Sequence, residues 1–112
     1  MLITQSILQE FLAESKADSV IVFDSLGNVI LAENLNFEDS VAAMSNAIIS
    51  MCDKFLNDLE HKESNQIIVK TSESTEVFTK INKDKIVYTS NKNAGNLGMF
   101  LHQIDAFAKK IN

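Results

Sequence analysis

The sequence predicts a single α/β domain over residues 1–112, with a five-stranded antiparallel sheet layered between helices in the order α-β-β-α-β-β-β-α. Three observations predict it. An apolar hairpin follows the first helical segment, three short strand-like segments with short turns form a later meander, and three stretches carry helical periodicity. Strands without room for crossovers pair antiparallel, and helices between them must cover the sheet faces, giving a three-layer α-β-α domain.

Each element has its own signal. Ile3, Ile7, Leu8, Phe11 and Leu12 fall on one side of a helix while Gln5, Gln9 and Lys16 fall on the other, predicting helix over 3–16. Ser19–Asp24 and Val29–Ala32 read as two strands joined by Ser25-Leu26-Gly27-Asn28, where Gly27 supplies the positive φ that a tight turn often needs. Both strands are apolar without alternation, which predicts a hairpin covered on both faces. The second helix is expected to be capped by Asn36, with Glu38 and Asp39 complementing its dipole. Its apolar residues run from Val41 to Leu59 and spread over about 220° of the wheel, whereas a helix covering one sheet needs little more than about 100°. The surplus predicts a second subunit. Gln66–Lys70, Thr75–Ile81 and Lys85–Ser90 then read as a meander, with Val77, Thr79 and Ile81 on one face and Glu76, Phe78 and Lys80 on the other. Leu97, Phe100, Leu101, Ile104, Phe107, Ala108 and Ile111 lie within an arc of about 120°, forming a third helix that ends at Lys109 and Lys110.

Composition excludes more than it assigns. The chain has 112 residues, which suits one domain. All ten basic residues are lysines, so no arginine finger can be inserted into a partner's active site. Net charge is −5 and the lysines are scattered, which argues against nucleic acid. Cys52 is alone, so no intrachain disulfide forms, and it reads as a small apolar residue on a helix. The segment from Met1 to Ser6 lacks a signal-peptide pattern, and the apolar runs Val20–Phe23 and Val29–Ala32 are far shorter than a membrane span. No membrane is expected as a partner, and the expected location is the cytoplasm.

No catalytic constellation stands out, so no enzyme activity is expected. A phosphate-binding G-x-x-x-x-G-K-[ST] loop is missing, and Gly95-x-x-Gly98 is only a fragment of a dinucleotide fingerprint. His61 beside Glu60 and Glu63 does not present a tetrahedral metal set. His102 falls on the polar side of the third helix, and Cys52 has Asp53 and Lys54 beside it rather than an electropositive setting. No cofactor or metal is expected. Asp53, Asp58, Glu60 and Glu63 read as a solvated face, and Met99 lies opposite the apolar stripe of the last helix.

The run Val20-Ile21-Val22-Phe23-Asp24-Ser25-Leu26-Gly27-Asn28-Val29-Ile30 resembles the first hairpin of the roadblock family of dynein light-chain relatives, a strand ending in D-x-x-G. Asn96-Leu97-Gly98-Met99 resembles the N-L-G start of that family's last helix. The resemblance covers nearly the whole chain. It implies a roadblock-type, profilin-like fold, a homodimer or heterodimer with second helices side by side and third strands paired, and binding to a Ras-like small GTPase as regulator or scaffold. The interface so implied draws on Ala42, Ile49, Cys52, Leu56, Ile67 and Val69. Where the family often has an arginine three residues after the N-L-G glycine this chain has Leu101, so a role resting on that arginine does not carry over. Two other readings stay open: a structural subunit of a motor or signalling complex without GTPase contact, and a PAS-like or profilin-like sensor, which would need a cavity with convergent polar groups.

Overall fold

The structure, a computed structural model, describes residues 3–93 and 95–112; Met1 and Leu2 of the expected N-terminal pattern lie outside them. Three helices, α1 (Gln5–Ser15), α2 (Glu38–Asp58) and α3 (Leu97–Ile111), accompany five strands, β1 (Ser19–Asp24), β2 (Val29–Glu33), β3 (Gln66–Lys70), β4 (Thr75–Lys80) and β5 (Lys85–Asn91). All neighbours pair antiparallel, in the order β2-β1-β5-β4-β3. The element order and five-stranded sheet are those expected from the sequence. No helix among the described residues is long and apolar enough to cross a membrane.

The sheet is buried from two sides because its strands alternate between two apolar sets. Val20, Val22, Val77 and Val87 pack with Leu8 and Phe11 of α1 and with Phe100, Ile104 and Phe107 of α3. Ile21, Phe23, Phe78, Ile86 and Tyr88 pack with Ala42 and Ile49 of α2. Phe11 and Phe107 stack at 4.4 Å between centroids and join the two helices of the first layer. Three layers therefore enclose two apolar clusters separated by the sheet.

Local chemistry sets the ends of the elements. Thr4 caps α1 through Ile7 N–H, and the Asn96 side chain accepts from Met99 N–H at 3.0 Å, which gives the N-L-G motif its structural reason. In the D-x-x-G turn, Asp24 Oδ1 accepts from the N–H groups of Leu26 and Asn28, both at 2.9 Å, while Gly27 takes φ 86°. Those donors, the Asn28 N–H foremost, hold the Asp24 carboxyl below its ordinary range.

Two expectations are corrected. The hairpin is not covered on both faces throughout: β1 is buried, but β2 is an edge strand, half-buried, with Ile30 exposed where a bulge interrupts its pairing with β1. Nor does Asn36 cap α2. The N-cap is Phe37, in the left-handed conformation at φ 59° and with no side-chain capping bond.

Among the buried polar residues described, Thr89 stands apart. Thr89 is fully buried between Val20 and Val77, its register partners, and its hydroxyl has no hydrogen-bond partner. Thr89→Val keeps the shape and removes an unmet donor, so it is expected to raise the unfolding free energy by about 1 kcal/mol in a urea titration. A drop would reveal a hidden acceptor for that hydroxyl.

Candidate partner interface

Helix α2 carries more apolar surface than its own sheet can use. Ala42, Ser45 and Ile49 are buried against the sheet, and Val41, Cys52 and Leu56 are half-buried beside them. Adjoining this face is a second stripe, Met44, Ile48, Met51, Phe55 and Leu59, whose spacings of three and four residues place it on one flank of the helix. Met51 is 69% and Phe55 61% exposed, and Phe37 just ahead of the helix is 81% exposed. The opposite flank is small or polar, with Ala43 and Asn46 set against Gly27 of the hairpin turn. Such a contiguous apolar row facing water is more than the scattered apolar residues usual on a surface helix.

Sheet edges differ in the same sense. At β2 the Gln5 side chain donates to Ala32 O at 2.7 Å and to the Glu33 carboxylate, so α1 occupies part of that edge. The outer side of β3 pairs with no strand, and its Ile68 and Val69 are exposed. An edge strand with exposed β-branched residues presents unpaired backbone groups to a further strand, although β3 ends in the exposed Lys70. Polar ties fix where this edge lies. Asp53 accepts from Lys80 Nζ at 2.5 Å and from the N–H and hydroxyl of Ser64 at 2.9 and 2.7 Å, joining α2 to the segment entering β3 and to the end of β4.

The residues expected at an interface separate into two groups. Ala42 and Ile49 are corrected: they are covered by the chain's own sheet and present little surface to anything else. Cys52, Leu56 and Ile67 are half-buried at the margin, Ile67 against the core cluster on the α2 side, while Val69 stands exposed on β3. The flank residues Phe55 and Leu59, with Phe37, were not singled out by the sequence, although the width of the apolar arc contained the first two.

No group of three metal-ligating side chains occurs among the described residues. Cys52 on α2 and His102 on α3 lie on opposite faces of the sheet, so they cannot form a nucleophilic pair. His61, His102 and Met99 are exposed. Tyr88 donates to the Glu76 carboxylate, which also accepts from the Ser90 hydroxyl at 3.0 Å. Burial, with the Glu76 bond, pushes the Tyr88 hydroxyl above its ordinary range, so it stays a neutral donor. An apolar cleft between α1 and α3, lined by Ile7, Phe11, Ala106 and Phe107, has a volume of about 160 Å³.

Models of known protein families find no match in the sequence, and neither do curated proteins. Solved structures do match. MglB of Myxococcus xanthus superposes with TM-score 0.87 at 12% identity, over 95% of this chain and 89% of that one. A roadblock/LC7 domain from Streptomyces avermitilis gives 0.87 at 9% identity, over 98% and 95%. Schizosaccharomyces pombe profilin gives 0.72 at 14% identity, over 96% and 94%, so the roadblock structures fit better than the profilin. With helices, strand order and the D-x-x-G turn all in place, the chain has the roadblock fold.

Proposed function

We propose that this chain is a non-catalytic roadblock-type subunit that dimerises, with itself or with another roadblock-type chain, and serves in the cytoplasm as a regulator or scaffold of a Ras-like small GTPase. The observation that carries the reading is unpartnered apolar surface: the exposed flank of α2, together with the outer edge of β3, which pairs with no strand. Pairing two copies along that flank and edge removes both from water and leaves the two α2 helices on one face. The GTPase enters through the family that the fold and the two motifs indicate. With no arginine in the sequence, any stimulation of hydrolysis works by ordering the GTPase's own residues.

The immobilised chain should capture a small GTPase from lysate of the cells that make it, in one nucleotide state only, when the lysate is loaded with either GDP or a non-hydrolysable GTP analogue. Capture of small α/β subunits alone, in both states, would instead favour a structural role without GTPase contact.

A further inference from the structure

We propose that a polar cleft at one end of the sheet binds a phosphate group, with Lys70, Thr75, Asn91 and Lys92 as its donors. The cleft belongs to the sheet face that α1 and α3 cover, not to the α2 side, and it does not depend on the dimer.

Strand register builds its floor. Lys70 pairs with Thr75 across β3 and β4, and Thr75 pairs with Asn91 across β4 and β5. Directly opposite residues of antiparallel strands point to the same face, with Cβ atoms about 5 Å apart. The three side chains therefore form one row across three strands. Alternation along β4 puts Thr75 on the face of Val77, which packs with residues of α1 and α3. One row further in, Val77 and its partner Thr89 are fully buried. The end row instead lines a cleft of about 270 Å³, together with the β3–β4 turn and Lys92.

The donors of this row lack acceptors. Thr75 is 6% and Asn91 3% exposed. Asn91 Oδ1 accepts from the Asn93 N–H at 2.8 Å, which leaves the amide Nδ2 as its remaining donor. Among the described residues, the fully enclosed side-chain polar atom without a partner is the Thr89 hydroxyl. The Thr75 hydroxyl and Asn91 Nδ2 meet no partner there either, so they open into the cleft that both residues line. Buried donors without acceptors are uncommon and point to a group that supplies them.

Charge then selects the ligand. The lysines held in ion pairs among the described residues are Lys54, Lys80 and Lys110. Lys70 and Lys92 are thus not neutralised by a carboxylate, and across the lining they face one acid, Glu73. That is a local positive balance in a chain of net charge −5. A hydroxyl, an amide N–H and two ammonium groups need several acceptor oxygens on one small anionic body. A phosphate group presents enough oxygens for all four, whereas a carboxylate has only two.

Titrating the isotope-labelled chain with inorganic phosphate, at neutral pH and constant ionic strength, tests the site by two-dimensional NMR. Saturable shifts are expected at the backbone amides of Lys70, Thr75 and Lys92 and at the Asn91 side-chain amide, with a dissociation constant on the order of 1 mM. Lys70→Gln with Lys92→Gln should weaken binding about tenfold, a loss of roughly 1.4 kcal/mol. Lys62→Gln with Lys83→Gln removes the same charge from exposed positions elsewhere and should leave binding unchanged. Thr75→Val keeps the shape without the hydroxyl and should also weaken binding, its dispersed spectrum showing that it folds. Phenyl phosphate separates two sources of the group: tighter binding assigns the site to a phosphate monoester, equal or weaker binding to the free ion. Shifts that rise without saturating, equal shifts with acetate, or equal losses in both lysine pairs overturn the site.

Discussion

Phe55→Glu is expected to leave the domain folded and to halve its mass in light scattering at tens of micromolar. Phe55 is 61% exposed on the flank of α2 and touches little of its own core, so losing it costs the monomer little. In the paired state the same position would be covered twice, once in each subunit. An anchoring aromatic is worth about 2 kcal/mol or more in an interface, and burying a carboxylate there adds to the loss. Two such sites amount to about 4 kcal/mol, roughly a thousandfold in the dissociation constant. Asn57→Lys, exposed on the polar flank of the same helix and in its last turn, is the matching control and should leave the mass unchanged. If the wild-type chain is dimeric and Phe55→Glu stays dimeric, the flank is not the interface. The choice of Phe55 over Leu56 follows from the structure: Leu56 is half-buried within its own chain, so an acid there would confuse unfolding with dissociation.

That choice shows where sequence reasoning reached its limit. The arc of apolar residues on α2 announced that one sheet could not bury them all, but a helical wheel gives the width of an arc and not the direction of the sheet. Ala42 and Ile49 therefore entered the expected interface although they are the residues nearest the core. The structure fixes the direction: Ala42 is where the helix approaches the sheet, and Met51 and Phe55 point off to the side. Strand identity was legible for a similar reason and strand order was not. β1 and β2 read alike as unbroken apolar runs, yet only β1 gains a second neighbour, through pairing of Val20–Phe23 with Ile86–Thr89 far along the chain. Phe37 escaped because the composition of its loop favoured Asn36 as the cap. Asp53 read as one acid on a solvated face because both of its partners are distant in sequence, Ser64 by eleven residues and Lys80 by twenty-seven.

Asp53 carries the other large expected effect. Its side chain is 17% exposed and that of Lys80 24%, so the pair is largely withdrawn from water. Asp53→Ala would leave Lys80 with Glu63 at 3.6 Å, a glutamate whose own side chain is 76% exposed, and would leave both donors of Ser64 unmet by a carboxylate. The loss is expected to be about 2 kcal/mol in a urea titration, below the cost of breaking a fully buried pair because Lys80 regains some water. The pH dependence separates the charge from the shape. Burial raises the Asp53 carboxyl, but the Lys80 ammonium and the two Ser64 donors outweigh it and hold the group below its ordinary value of 3.8. A carboxyl depressed in the folded state contributes its full stability above the unfolded pKa and loses it as pH falls through the folded one. The gap in stability between wild type and Asp53→Asn, which keeps the shape and does not titrate, should therefore be widest near neutral pH and narrow below about pH 4. A gap of constant size between pH 7 and pH 3 would mean that the carboxyl titrates alike in the folded and unfolded chain, so that neither Lys80 nor the Ser64 donors favour its charged form.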